Sequence, residues 1–228
     1  MKLELNITAK EATKFFIGLL TVEIILVTVF FLDFLLQSPN WRLHELFNLD
    51  KEANIPTWFS LIQLFLIGMV ALLTAFNKNY SAPPSRKGLK LFGLGFIYLS
   101  LDEGAVLHEK MTYEFHNHPL VPYFDGVHGI WITVYMGVAL IVLALIYRDL
   151  WAIFNKYRKE SIIFILGLII YLAGAGGAET ITYFYIDKNN PLIYAYEVCL
   201  EEFLEMAGAS VLFYSVLLTA VKKNQGAA

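Results

Sequence analysis

Cysteine is all but missing from this chain of 228 residues. The single Cys199 lies in an apolar stretch, so no intramolecular disulfide is possible and the redox compartment is left open. Charge is scarce too: 16% of residues are charged against 57% hydrophobic, with a mean hydropathy of +0.58. That balance is too apolar for an ordinary soluble domain. No basic run interleaved with aromatics occurs and the formal net charge is -3, which gives no reason to expect nucleic acid as a partner. Low-complexity tracts are absent, and the chain reads as one domain over 1–228. No small-residue cleavage site follows the first apolar stretch, which is therefore expected to be an uncleaved membrane span rather than a signal peptide.

What the chain has is six apolar segments, each long enough to cross a bilayer at about 1.5 Å per residue. They run over Phe15–Leu36, Trp58–Phe76, Leu89–Leu107, Ile130–Tyr147, Ile162–Tyr185 and Ala195–Val221. Proline and asparagine punctuate their ends, at Ser38-Pro39-Asn40, Asn54-Ile55-Pro56, Ala82-Pro83-Pro84, His118-Pro119 and Asn190-Pro191. Without water to satisfy the backbone, such spans must be helical. The expected fold is all-α: a polytopic bundle of six transmembrane helices in the cell membrane.

Basic residues set the orientation. Lys2, Lys10 and Lys14 precede the first segment. Lys78, Arg86, Lys87 and Lys90 follow the second, Arg148, Lys156, Arg158 and Lys159 the fourth, and Lys222 and Lys223 the sixth. The alternate loops carry only Arg42 and Lys51, then Lys110, then Lys188. Both termini are expected to be cytoplasmic.

Given that orientation, the acids fall into one layer of the outer leaflet. The third segment ends in Asp102-Glu103-Gly104-Ala105-Val106-Leu107-His108-Glu109, and the sixth carries Glu197, Glu201, Glu202 and Glu205. Glu179 follows the small-residue run Ala173–Ala178 at similar depth, and His128 opens the fourth segment on the same side. At about 100° per residue Asp102 and Glu109 would share a face, and Glu197, Glu201, Glu205 and Gly208 would form one stripe. Each carboxylate at membrane depth costs about 2.5–3.5 kcal/mol by insertion scales, and such residues are usually functional. Ion pairing fails on counting, because the only base among these outer halves is Lys110. The acids must hold protons or a cation.

A metal site needs carboxylates and imidazoles converging from several helices, as in the carboxylate-bridged metal sites of bundles. Those sites use Glu-x-x-His, which this chain lacks. A histidine among carboxylates suits a divalent metal ion such as zinc, iron or manganese. The candidate ligands are Asp102, His108, Glu109, His128, Glu179, Glu201 and Glu205. Glu103, Glu197 and Glu202 are candidates for catalytic acid–base work. His116 and His118 in the loop beyond would complete or gate the site, or simply be solvated. Asp33 would extend the cluster, Glu23 would mark a helix–helix hydrogen bond, and the amphipathic stretch at Trp41–Phe47 would lie on the membrane surface.

The Asp-Glu…His-Glu run, together with Glu-Glu-x-x-Glu-Met-x-Gly from Glu201 to Gly208, resembles a group of uncharacterised bacterial six-span membrane proteins. The likeness covers mainly the third, fifth and sixth segments, implies a bacterial inner-membrane location, and brings no activity with it. Membrane hydrolases related to alkaline ceramidases differ: they have seven spans and a late His-x-x-x-His, whereas no histidine follows His128 here.

Two functions fit. One is a membrane-embedded metal-dependent enzyme, a hydrolase or a carboxylate-bridged metal oxidoreductase, acting on a lipid or other apolar small molecule from the non-cytoplasmic side. The other is a cation or proton transporter, or a membrane sensor, using the same carboxylates. The nearly pure apolar character of the inner halves of segments three to six favours the first.

Overall fold

The structure, a computed structural model, describes residues 7–37, 39–77, 84–115, 130–186 and 189–225. Among them the regular structure is entirely helical: α1 (Ala9–Leu36), α2 (Trp41–Leu46), α3 (Ile55–Phe76), α4 (Arg86–Ala105), α5 (Leu107–Phe115), α6 (Ile130–Lys156), α7 (Arg158–Leu172), a π-helical segment (Ala173–Ala178), α8 (Glu179–Tyr185) and α9 (Pro191–Gln225). Five stretches are long and apolar enough to cross a membrane: Ala9–Leu36, Ile55–Phe76, Ile130–Lys156, Arg158–Thr182 and Pro191–Lys222. The bent pair α4–α5 makes a sixth if counted as one.

Polar residues at the breaks set the helix starts. Thr8 and Glu11 form a capping box at α1, the Thr8 N–H donating to the Glu11 carboxylate at 2.8 Å and the Glu11 N–H to Thr8 Oγ1 at 3.2 Å. Asn54 caps α3, accepting from the Thr57 N–H at 3.1 Å, with Pro56 in the first turn. Ser85 caps α4, accepting from the Gly88 N–H at 2.9 Å.

Two of the expected segments are not continuous helices. The third was expected to run to Leu107 but stops at Ala105, because Val106 adopts a left-handed backbone (φ 54°, ψ 44°) and α5 leaves at 78° to α4. A β-branched residue in that region is a local strain of about 1–3 kcal/mol. The bend also puts Asp102 and Glu109 on two different helices, so they do not share one helical face, although both act electrostatically on His108. The fifth segment is interrupted by the π-helical turn, where all six residues from Ala173 to Ala178 are alanine or glycine and the backbone widens.

α9 is the centre of the bundle. It packs against α1, α3, α7 and the π segment, while α4 lies along α3. Leu64, Ile67, Phe96, Leu212, Phe213 and Leu217 form one buried cluster, and Leu26, Leu49, Val198 and Met206 a second towards the other end of α9. Close approach of α3 and α4 depends on Gly68 and Gly93: a Cβ on Gly68 would stand 2.7 Å from the Gly93 carbonyl oxygen, and one on Gly93 2.9 Å from that of Gly68. α6 stands apart. It touches α4, α5 and α7 but leaves Val138, Leu140, Ile141 and Leu145 exposed.

Candidate functional site

The space between α6 and the rest of the bundle is a cleft of about 2360 Å³. Its long middle section is walled by apolar side chains, among them Phe92, Phe96, Leu99, Val138, Phe164, Leu168 and Leu212. One end is acidic. Asp50, Glu52, Asp102, Glu103, His108, Glu109, Glu197, Glu201, Glu202 and Glu205 all line it there. α6 is pinned at both ends and loose between. At the acid end Trp131 lies against the His108 ring, 5.3 Å between centroids, and the Tyr135 hydroxyl bonds that of Tyr98 at 3.1 Å. At the far end Asp149 accepts from the Ser85 N–H at 2.6 Å and from Ser85 Oγ at 2.7 Å.

The left-handed turn at Val106 builds the centre of the acid end. It folds the start of α5 back over the last turn of α4, so that buried Asp102 accepts from the His108 N–H at 2.8 Å and meets His108 Nδ1 at 3.2 Å. Asp102 thus caps the second helix and holds the imidazole of the same turn. A net intramolecular hydrogen bond is worth roughly 0.5–1.5 kcal/mol. Asp102 and Glu103 lie within one turn of the end of α4, nearer its mouth than a helix running to Leu107 would have put them.

The acids of α4 and α9 share one space. Glu103 lies within electrostatic reach of Glu52, His108 and Asp102, and Glu202 within reach of Glu103, Glu201, Glu52 and Asp50. Glu197 is buried and takes a hydrogen bond from Thr182 Oγ1 of α8. Gly174 of the π segment allows the close approach of α9: a Cβ there would lie 2.9 Å from the Glu201 carbonyl oxygen and 2.7 Å from Glu205 Cγ. Glu109 is exposed at the rim.

Some predicted positions lie outside this description. His116, His118 and His128 fall outside the described residues, and Glu179 is described only as the first residue of α8, without its side chain. Asp33 does not join the acids: it is buried beneath α2 and meets His44 Nδ1 at 3.1 Å. Among the described residues, no group of three or more His, Cys, Asp or Glu side chains is disposed to hold a metal ion. The expected metal-ligand set is therefore not assembled by Asp102, His108, Glu109, Glu201 and Glu205 alone.

Sequence reasoning missed the loop acids and the tyrosines. Asp50 and Glu52 come from the turn between α2 and α3, which Asn54 ties down by donating to the carbonyls of Asn48 at 2.5 Å and Lys51 at 2.6 Å. Asp50 accepts from the Tyr194 hydroxyl of α9 at 2.5 Å. Glu52 is exposed to solvent along part of its side chain, yet the protein on its other side raises its pKa, with Thr57 and His108 lowering it and Glu109 and Asp102 raising it further. Tyr171 of α7 stands near Glu205, Glu103, Asp102 and Glu202. A loop acid between two asparagines carries no pattern in the sequence. Asn48 and Asn54, six residues apart around it, were the one sign of a built turn.

A family model described as a domain of unknown function, DUF8692, matches residues 19–221. The chain belongs to that family. No curated protein and no solved structure matches it. The match in DUF8692 takes in every acid of the cleft described above, from Asp50 to Glu205.

Proposed function

We propose that this DUF8692 protein is an integral membrane protein that takes a lipid or other apolar-tailed molecule into the cleft and acts on its polar end by proton transfer. The observation that carries this reading is the division of one cavity into a long apolar section and a short acidic end. An acyl chain matches the first, and a polar head with donor groups matches the second. Carboxylates close enough to feel one another, beside an Asp-held imidazole, are suited to general acid–base work. The apolar middle of the cleft disfavours a path for ions, which would need polar groups along its length.

Six membrane passages, with α4 and α5 together as the third, and both termini cytoplasmic fit the loop charges. Lys10 and Lys14 lie at the start of α1, Arg86 and Lys87 at the start of α4, Lys156, Arg158 and Lys159 between α6 and α7, and Lys222 near the end of α9, in the alternate connections that the proposed orientation makes cytoplasmic. The acid end then faces the non-cytoplasmic side. A metal would need ligands beyond the described side chains, and His128 and Glu179 are the residues to supply them.

Gly95 offers a clean test. It lines the cleft on α4, and a Cβ built on it meets nothing within 4 Å. Purified protein should retain one class of amphiphile, detectable by extraction and mass spectrometry, and Gly95→Leu should lose it while keeping its fold. Equal retention by both proteins, or none by either, would sink the proposal.

A further inference from the structure

Another buried acid lies outside the cleft lining. Glu23, near the middle of α1, is 0% exposed, and it meets Gln63 of α3 (1%) and Ser210 of α9 (0%) where the three helices cross. Glu23 Oε1 accepts from Ser210 Oγ at 2.5 Å and from Gln63 Nε2 at 2.9 Å. Gln63 Nε2 also lies 3.2 Å from the Met206 carbonyl oxygen and 2.8 Å from Ser210 Oγ. These acceptors fix the amide's orientation, because a flipped Gln63 would set its oxygen against the Met206 carbonyl and the Glu23 carboxyl.

That orientation leaves two oxygens over. Glu23 Oε2 and Gln63 Oε1 are both buried and have no hydrogen-bond donor among the described residues. Among the described residues no lysine, arginine or histidine belongs to the node. A bare carboxylate here would carry a whole charge on two neutral donors, beside an amide oxygen that is itself unsatisfied, and each such loss costs about 1–3 kcal/mol. A hard metal cation would ask for six or more oxygens, far more than the two left over. One hydrogen atom is the ligand whose demand fits: a donor oxygen on one side and an acceptor on the other.

We propose that Glu23, Gln63 and Ser210 form a proton-binding site between α1, α3 and α9, in which Glu23 is a neutral carboxylic acid carrying its proton on Oε2 for donation to Gln63 Oε1. The acid–amide pair then has each face matched, N–H to the acid carbonyl and O–H to the amide carbonyl, with Ser210 as the third donor. Binding is a simple protonation: the Oε2–H bond forms and the negative charge disappears. Loss of that proton would set two buried acceptors against each other and loosen the crossing of three helices at once.

Infrared spectroscopy of the full chain in lipid at neutral pH reads the proton directly. Wild type should show one protonated-acid carbonyl band that Glu23→Gln lacks, with the carboxylate bands unchanged. Glutamine copies a neutral acid, so Glu23→Gln should melt within about 2 °C of wild type, whereas Glu23→Ala should fall by about 4 °C or more, at roughly 2–4 °C per kcal/mol for a chain of this size. Loss of a carboxylate band instead, as expected if water supplies the missing donor, overturns the proposal. So does a Glu23→Gln variant that unfolds or melts as low as Glu23→Ala.

Discussion

α4 has two sides that differ in kind. On one, Gly93 presses against Gly68 of α3 with no room for a methyl group. On the other, two residues on, Gly95 looks into open cleft. The acids divide likewise. Glu23, on the closed side, has its neighbours chosen for it atom by atom, by Gln63 and Ser210. Glu103 and Glu202, on the open side, have chiefly other acids for company. A membrane protein keeps a carboxyl group as part of its frame by surrounding it with matched donors. It keeps one for use by leaving space in front of it and crowding the charge.

The sharpest way to break this contrast is to substitute both glycines. Gly93→Leu should cost about 1–3 kcal/mol or more through overpacking against α3, whereas Gly95→Leu should leave thermal stability unchanged or raise it by up to about 1 kcal/mol, since leucine favours helix over glycine. Equal losses in thermal melts would mean that the cleft is closed in solution. A smaller effect is expected at the acid end. Asp102→Asn keeps an acceptor for the His108 N–H but replaces the oxygen that meets His108 Nδ1, and should cost about 1 kcal/mol, with the ¹⁵N resonances of the His108 ring shifting and the rest of the spectrum in place. If the resonances do not move, Asp102 is not what holds the imidazole.

The smallest effect belongs to the loop. Glu52 has its pKa raised in the folded protein, so the folded state favours its protonated form. Its contribution to stability is present below the ordinary carboxyl value and is lost as pH rises through the raised one. Glu52→Gln should flatten the wild-type decline in melting temperature over that window. A slope unchanged by the substitution would assign the decline to another group.

Much of this was visible in the residues. Apolar runs between proline and asparagine breaks gave the helices, and each expected segment overlaps an observed one. The carboxylates of the third and sixth segments were recognisable as a set because acids are few in so apolar a chain and these gather at the ends of two apolar runs, and both groups line one cleft. The breaks at Val106 and Ala173–Ala178 were hidden, since neither a valine nor a run of alanine and glycine announces a left-handed residue or a widened turn. Packing decides both. Asp50 and Glu52 were hidden for another reason: a polar loop has no period, so nothing in it says which residue folds back over a site.

The length of α9 has one more consequence. Its 35 residues extend about 52 Å at 1.5 Å per residue, well beyond the roughly 30 Å of a bilayer's hydrocarbon. In the proposed membrane placement, with Lys222 and its ion-pair partner Glu160 anchoring one end, the first turns, with Glu197 and Glu201, would rise into the headgroup layer. Glu202 and Glu205 stand at its lower edge. The depth of the acid end is then set partly by the host lipid. A thicker bilayer submerges the carboxylates and makes their charge harder to hold, and a thinner one wets them. On that proposed placement membrane thickness would be a control on the proposed chemistry, acting without any change in the protein's own contacts.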